Sequence, residues 1–533
     1  MTTAKLARVI CLMLVAIMVL SFAACVNNGG NGDATTDPDA NKPGGTNQGD
    51  IDYTGLTTGL KSPHVYPEYM DLYSFRGDNA VTILNCPANY WQMLCHFTYK
   101  SEDEVGQTTF EQSIWERQKT VEKSFGCEIK EKPSESIYDM NTKLTDDILN
   151  QLNTYDAAYQ RADQTASAII NNYYKPLNDI ENINLDAPYW TQSFLEDTSL
   201  FDTNFFAISN LQLMSFESVW ALFFNVDMCE NLRLDLPYET VSEGNWTWTE
   251  FKKYCTEASN LQGANSWDYN KNANTVYGMS SFVDGVNKFI YGMGGVYATK
   301  NENDTIEFLG STPDFEDICF EVSYIMKGDG TYLAATPNQE DKTLDYYIDV
   351  FKKGRSLFLG AEIKTAQALR DLTWAKGSGI IPYPKADPVG NVKQENYMST
   401  CVTRLPVLTI PNYAGRDEAA NITSFEEIGA VVDALSHESE NIVLDKYYND
   451  HVCIKGLKTQ KNIDMLNIIK NSRGFDIFVC YGFSEDMVIS VNEVIHAGGT
   501  NIASTITAKY NGENGAAAQI EKLEDAISDI LDQ

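Results

Sequence analysis

The first patterned stretch of the chain is apolar without interruption. Val9 to Leu20 carries no polar residue, follows Lys5 and Arg8, and runs on to Ala23-Ala24-Cys25. A positive start, an apolar run and small residues before a cleavage point describe a secretory leader over residues 1–24. The run is too short to span a bilayer comfortably. From Val26 to Asp50 the pattern vanishes into Asn, Gly, Asp, Thr and Pro. Such a segment cannot bury enough surface to fold, so 25–76 reads as a linker, with a partly ordered approach from Ile51 onward.

Regular patterning begins at Ala80. Ala80 to Cys86 is a short apolar run between Gly77-Asp78-Asn79 and Pro87, which predicts a strand. Phe110, Ile114, Val121 and Phe125 recur at helical spacing and Gly126 follows, so a helix is predicted over 110–125. A strand over 127–132, a helix over 140–152 and a strand over 154–159 complete an alternation that defines an α/β lobe. In such sheets ligands collect beyond the carboxyl ends of the strands, which points the loops after Cys86 and Tyr159 at one crevice.

The same signals continue downstream. Thr247 and Glu250 fit a capping box for a helix from Trp248 to about Asn260, so Trp246 and Trp248 are read as core. Thr312 and Pro313 suit the start of a helix to Met326. Tyr346 to Lys353 begins another helix, which turns at glycine into a buried strand near Gly360. A helix is predicted over 424–435, and Ile520, Leu523, Ile527 and Ile530 form one face of a last helix that docks on the body.

Composition narrows the classes. With 533 residues, 43% hydrophobic, the chain is large enough for two cores. Its net charge of −34 becomes −36 once Lys5 and Arg8 leave with the leader, which argues against nucleic acid and anionic lipid surfaces as partners. Of eleven cysteines, nine would remain beside Cys25, none in a CxxC spacing, so no zinc framework is present and no metal or cofactor is predicted. Unpaired buried thiols in an exported chain fit a cell living without oxygen.

The small-small-Cys ending resembles the lipobox of bacterial lipoproteins, with Phe22 where relatives usually have Leu; the alternative is an ordinary leader cut near Ala24. Further on, Tyr155-Asp156 with Leu177-Asn-Asp-Ile180, Ala221-Leu-Phe-Phe-Asn225, Gly244-Asn-Trp-Thr-Trp248, Tyr277-Gly278-Met279 and Gly379-Ile-Ile-Pro382-Tyr-Pro384 occur in an order and spacing that resemble the carbohydrate-type extracellular solute-binding proteins of ABC importers, over nearly all of Ala80 to Phe483. The resemblance implies an α/β, two-lobed, periplasmic-binding-protein-like (class II) fold with hinge crossover strands. Its first lobe would open at 77–215, the second would occupy 216–381, and 382–533 would return to the first lobe with C-terminal helices shared between both. It also implies a carbohydrate ligand, ABC permease subunits as partners, and a monomer held by lipid on Cys25 at the outer face of the membrane of a Gram-positive type of bacterium.

No G-x-S-x-G, GxxxxGK[ST] or HExxH occurs, and five dispersed histidines nominate no base. His437, beside Glu438 at a helix end, reads as a solvated pair. Asp and Glu abound without any pair standing out, so a surface enzyme acting on polysaccharide stays the alternative, and a signalling or adhesive surface protein a third. A sugar site wants aromatic platforms flanked by side chains that donate and accept. Trp91 follows the first strand, and Gln160, Arg161 and Asp163 follow the Tyr155 strand; Asp163 could equally cap the next helix, and Trp91 could simply pack. Glu217, Ser218 and Trp220 lie at the first crossover, Asp284 and Asn287 at a helix start, Glu362 after Gly360, and Trp374 before the return strand.

Overall fold

In a computed structural model the residues described are 52, 54–57, 64, 79–87, 90, 93–267, 272–327, 332–335, 346–390, 393–402, 404–417, 421–448, 457, 459–483, 485–512 and 514–532. Cys25 and Trp91 lie outside them, as does the predicted leader.

The strand β1 (Ala80–Asn85) is buried at all six positions, as a strand covered on both faces must be. It is followed by α1 (Thr109–Phe125), β2 (Glu128–Pro133), α2 (Met140–Leu149) and β3 (Ala157–Arg161). The helix α1 starts where Thr108 and Glu111 form a capping box and stops at Gly126, whose φ of 67° closes the last turn. Its predicted apolar face is buried at Phe110, Ile114, Val121 and Phe125. β2 and β3 flank β1 in parallel, with Val81 opposite Ile129 and Ile83 opposite Ala157.

After a helix α3 (Thr165–Ile170) and α4 (Gln192–Thr198), the chain enters a second sheet at β4 (Trp220–Asn225). There α5 (Trp248–Ala258), β5 (Tyr277–Phe282), α6 (Val283–Gly292), β6 (Ala298–Lys300), β7 (Ile306–Phe308), α7 (Pro313–Lys327), β8 (Tyr332–Ala335), α8 (Tyr346–Lys352), β9 (Ser356–Glu362) and β10 (Ser378–Ile381) follow. The second sheet runs β10-β4-β9-β5-β8, β4 lying antiparallel to its neighbours. β6 and β7 pair apart as a hairpin. β11 (Pro406–Thr409) then returns to the first sheet, antiparallel to β3, which gives the order β11-β3-β1-β2. Two mixed sheets with helical crossovers, joined by segments that leave one and enter the other, make the α/β two-lobed architecture.

The closing helices are α9 (Phe425–Glu438), α10 (Gln460–Asn471), α11 (Ile477–Tyr481), α12 (Glu485–His496), α13 (Ile502–Tyr510) and α14 (Ala516–Leu531). α9 carries a capping box of Ser424 and Glu427, and its residues Ile428, Val431, Val432 and Leu435 join the first sheet's core. α10 meets the second sheet through Asn462, which accepts from Tyr238 Oη (2.7 Å) and from the Ile380 N–H (3.1 Å). On α14, Ile520, Leu523 and Ile527 are buried, while Ile530 is only half-buried.

Several local readings change. α5 begins at Trp248 as predicted, yet Thr247 makes no side-chain cap there. Asp387 supplies it, accepting from the Thr249 N–H at 3.0 Å and the Thr249 hydroxyl at 2.7 Å. The turn out of α8 is at Gly354 (φ 69°), whereas Gly360 lies inside β9. A Cβ at Gly360 would come within 2.4 Å of Met279 Cε, so the residue permits close strand packing. His437 is buried, not solvated, its ring edge-on to His64 at 5.0 Å. Leu56 is fully buried and Asp52 bonds Gln460 on α10, while His64 Nε2 reaches Asp433 on α9 at 3.1 Å. All eight described cysteines are buried, and no disulfide joins any two of them.

Candidate ligand-binding crevice

Three chain segments run side by side between the sheets. The Trp220 N–H donates to the Thr400 carbonyl (3.0 Å), the Ser399 N–H to the Ser472 carbonyl (2.8 Å), and the Gly474 N–H back to Ser399 (3.0 Å). These crossovers hold the carboxyl ends of the parallel strands of both sheets around one region, where α/β sheets bind ligands.

On the first sheet's side, β3 ends in Arg161, and its guanidinium grips Asp163 through Nε (2.8 Å) and Nη2. Such a bidentate pair fixes both groups in one plane. That spends the Asp163 carboxylate on Arg161; the next helix is preceded by Gln164 without a side-chain cap, so Asp163 is not its N-cap. Antiparallel β11 places Pro406 opposite Arg161, which brings Arg404 to the same spot: its Nε stands 3.8 Å from Asp163 and its Nη1 donates to Tyr138 Oη at 3.3 Å. The Tyr138 ring lies 5.3 Å from the Arg161 guanidinium carbon and 5.8 Å from that of Arg404, and is 58% exposed. An exposed ring backed by cations is a stacking platform. Tyr90 closes this side, its hydroxyl pushed well above the usual phenol range by burial. Gln160 turns the other way, buried, with Nε2 on the Met140 carbonyl (3.3 Å).

On the second sheet's side, Trp220 opens β4 directly opposite Glu362, the last residue of β9. Lys288 of α6 is buried, donates to the Cys401 carbonyl (3.2 Å), and lies 5.9 Å from the Trp220 ring and 5.6 Å from that of Tyr291. Burial holds its ammonium below the ordinary lysine value, opposed by the charges of Asp284 and Glu362. Burial also raises the Glu362 carboxyl, with Lys364 and Lys288 pulling it down and Asp284 pushing it up. Asp284 is exposed at the start of α6. Asn287, one turn on, is buried, and its Oδ1 has no partner among the described residues.

Glu217 and Ser218 sit beneath, in the first crossover. Glu217 is 1% exposed and accepts from the Leu94 N–H (2.8 Å) and Tyr447 Oη (3.3 Å). Desolvation lifts its carboxyl to about 7 against those two donors. Ser218 is fully buried beside Cys401. Trp374 is not brought to the others: it precedes β10 at the amino-terminal edge of the sheet, ring to ring with Phe351 at 5.1 Å. The structure thus gathers Arg161, Asp163, Trp220, Asp284, Asn287 and Glu362 around the crossovers, and adds Tyr90, Tyr138, Lys288 and Arg404, which the sequence did not single out.

Between Ala162, Leu405, Lys288, Tyr291, Thr400 and Cys401 lies a cavity of about 20 Å³, room for a water-sized occupant. A groove of about 1070 Å³ shares Phe475 with it and is lined by Asp197, Lys300, Asn396 and Arg473 among others. Its volume suits a ligand better, but neither large sheet contributes a strand end to it, so the strand-end region is taken as the candidate site.

No protein-family model matches the chain, and no curated protein does. Among solved structures the chain is similar to an ABC substrate-binding protein of Listeria monocytogenes in complex with cycloalternan (13% identity, 85% of this chain and 98% of that one, TM-score 0.49). It is also similar to a cyclo/maltodextrin-binding protein complexed with maltotetraose (10% identity, 85% and 97%, TM-score 0.48) and to the GacH receptor of Streptomyces glaucescens (11% identity, 85% and 98%, TM-score 0.46).

Proposed function

We propose that this protein is a solute-binding protein that captures a carbohydrate between its two lobes and delivers it to an ABC permease, anchored by lipid on Cys25 at the outer face of the cell membrane. The observation that carries the reading is the convergence of both sheets' strand ends on one crossover region equipped with aromatic and ionisable side chains. A sugar offers apolar ring faces and a belt of hydroxyls. The exposed Tyr138 ring suits the former, while the partly exposed Arg404 and Glu362 can donate to and accept from the latter. Ligand contacts made to both lobes at once favour the closed arrangement, so binding and hinge closure are linked.

Delivery needs the protein to stay near its permease, and the stretch 26–50 has the composition of a flexible tether. A single acyl chain binds membranes only marginally, so the reading calls for a diacylated Cys25. Thermal shift and isothermal titration against oligosaccharides test capture, with the melting temperature rising with ligand concentration. Release of reducing ends from the same glycans would favour a polysaccharide-cutting enzyme instead.

A further inference from the structure

The groove of about 1070 Å³ beside the crossovers holds a cation that the fold leaves uncompensated. Arg473 lies in one of the crossovers, and a parallel bridge to Ser399 pins its backbone there. The Ser399 N–H donates to the Ser472 carbonyl (2.8 Å) and the Gly474 N–H to the Ser399 carbonyl (3.0 Å). The Arg473 side chain is half-buried, and its Nε donates to the Lys470 carbonyl at 3.2 Å, closing the end of α10. Among the described residues its two terminal nitrogens have no hydrogen-bond partner, and no carboxylate pairs with them. Other charges in the groove are engaged elsewhere: Asp197 accepts the Phe475 N–H at 2.9 Å, and Lys300 pairs with Asp304 at 2.7 Å and donates to Ser199 Oγ at 2.6 Å. Glu196 and Glu395 are exposed, where water screens them. Lys470, three residues before Arg473, adds a second cation: burial and the Arg473 charge hold its ammonium down at about 8, with Glu440 opposing. Helix capping accounts for Nε. It does not account for two terminal nitrogens held half-buried without an anion, in a chain whose net charge is −34.

We infer that this groove is a second ligand site, in which the Arg473 fork takes the oxyanion, carboxylate or phosphate, of a small polyhydroxylated molecule. A guanidinium matches such groups through two parallel N–H donors, and fixing Nε on a backbone carbonyl organises the fork in advance. Ser193, Asn396 and Asn471 line the same groove, and their side chains make no hydrogen bond among the described residues. One hydroxyl and two amides are therefore available to donate to and accept from the hydroxyls of the bound molecule. The volume is that of a small-molecule site. Tyr138, Arg404 and Glu362 of the crevice take no part in its lining, so the two sites can be told apart.

The test is calorimetric titration of the purified protein with glucuronate and with glucose 6-phosphate, against glucose and inorganic phosphate as controls. The inference predicts saturable binding of at least one of the sugar anions, tighter than either control by about tenfold or more. Arg473→Gln should weaken that binding by about tenfold or more, while Tyr138→Ala in the crevice leaves it unchanged. Asn471→Asp, at an exposed position, leaves Arg473 in place, adds a carboxylate to the groove and should weaken the same ligand several-fold, which keeps the test decisive if the Arg473 variant is destabilised. No binding of either sugar anion, glucose or inorganic phosphate binding as tightly as they do, or a loss on Tyr138→Ala rather than on the groove variants would overturn the inference.

Discussion

The Glu217 carboxyl tests the account of the crossover region most sharply. It is a buried acid, and desolvation lifts it from the ordinary 4.5 to about 7 against two hydrogen-bond donors and the charge of Lys364. The folded state therefore holds its proton more tightly than the unfolded chain. The stability this group contributes is fully present below about pH 4.5 and is lost as pH rises through about 7. At 1.36 kcal/mol per pH unit the loss amounts to about 3 kcal/mol. Glu217→Gln removes the titration and keeps the shape: the amide oxygen can accept the Leu94 N–H, and its nitrogen can donate to Tyr447 Oη. In urea denaturation, the stability of Glu217→Gln relative to the native chain should improve by about 3 kcal/mol between about pH 5 and about pH 8. All other titrating groups are common to both proteins and cancel. Parallel stability curves across that window would refute the reasoning and mean that water or an unseen cation solvates the carboxylate.

Three further outcomes follow from single residues. Tyr138→Ala removes an exposed platform, so ligand affinity in titration calorimetry should fall about tenfold, equivalent to about 1.4 kcal/mol, with the melting temperature unchanged. Gly482 has φ 75° and a Cβ there would meet the Asp163 carbonyl oxygen at 2.0 Å; Gly482→Ala should cost about 2–4 kcal/mol in denaturant and weaken binding by displacing the Asp163 turn. Cys25→Ala should move the protein from the membrane fraction to the medium, as judged by immunoblot, and retention at the membrane would contradict the anchor.

How much of this was legible in the sequence depended on distance along the chain. β1, α1 and β3 announce themselves because burial on both faces makes an apolar run and a helix face makes a 3.6-residue period. The glycine turns at Gly126 and Gly354 are local too. The cap on α5 is not legible locally because its carboxylate, Asp387, sits 138 residues from Thr249. Tyr138 and Arg404 are 266 residues apart and meet only because β11 runs antiparallel beside β3, a pairing that no local signal encodes. Lys288 lies among Val286, Phe289 and Ile290, where a lysine reads as a solvated exception; it is buried because α6 turns that face to the crossovers. Trp374 precedes the return strand, but β10 runs in the same direction as β9, so a residue before it lies at its amino end, opposite the crevice. Gln160, in β3, points into the packing under α2 rather than outward, which strand alternation could have indicated.

The central claim, capture of a carbohydrate between the lobes, is tested most directly by titration calorimetry of the purified mature chain with a panel of neutral and acidic oligosaccharides, followed by product analysis of the same mixtures. The account predicts a saturable heat with at least one of them, a melting temperature that climbs with its concentration, and the sugar recovered unchanged. Absence of any binding across the panel, or cleavage of the bound glycan, would contradict it.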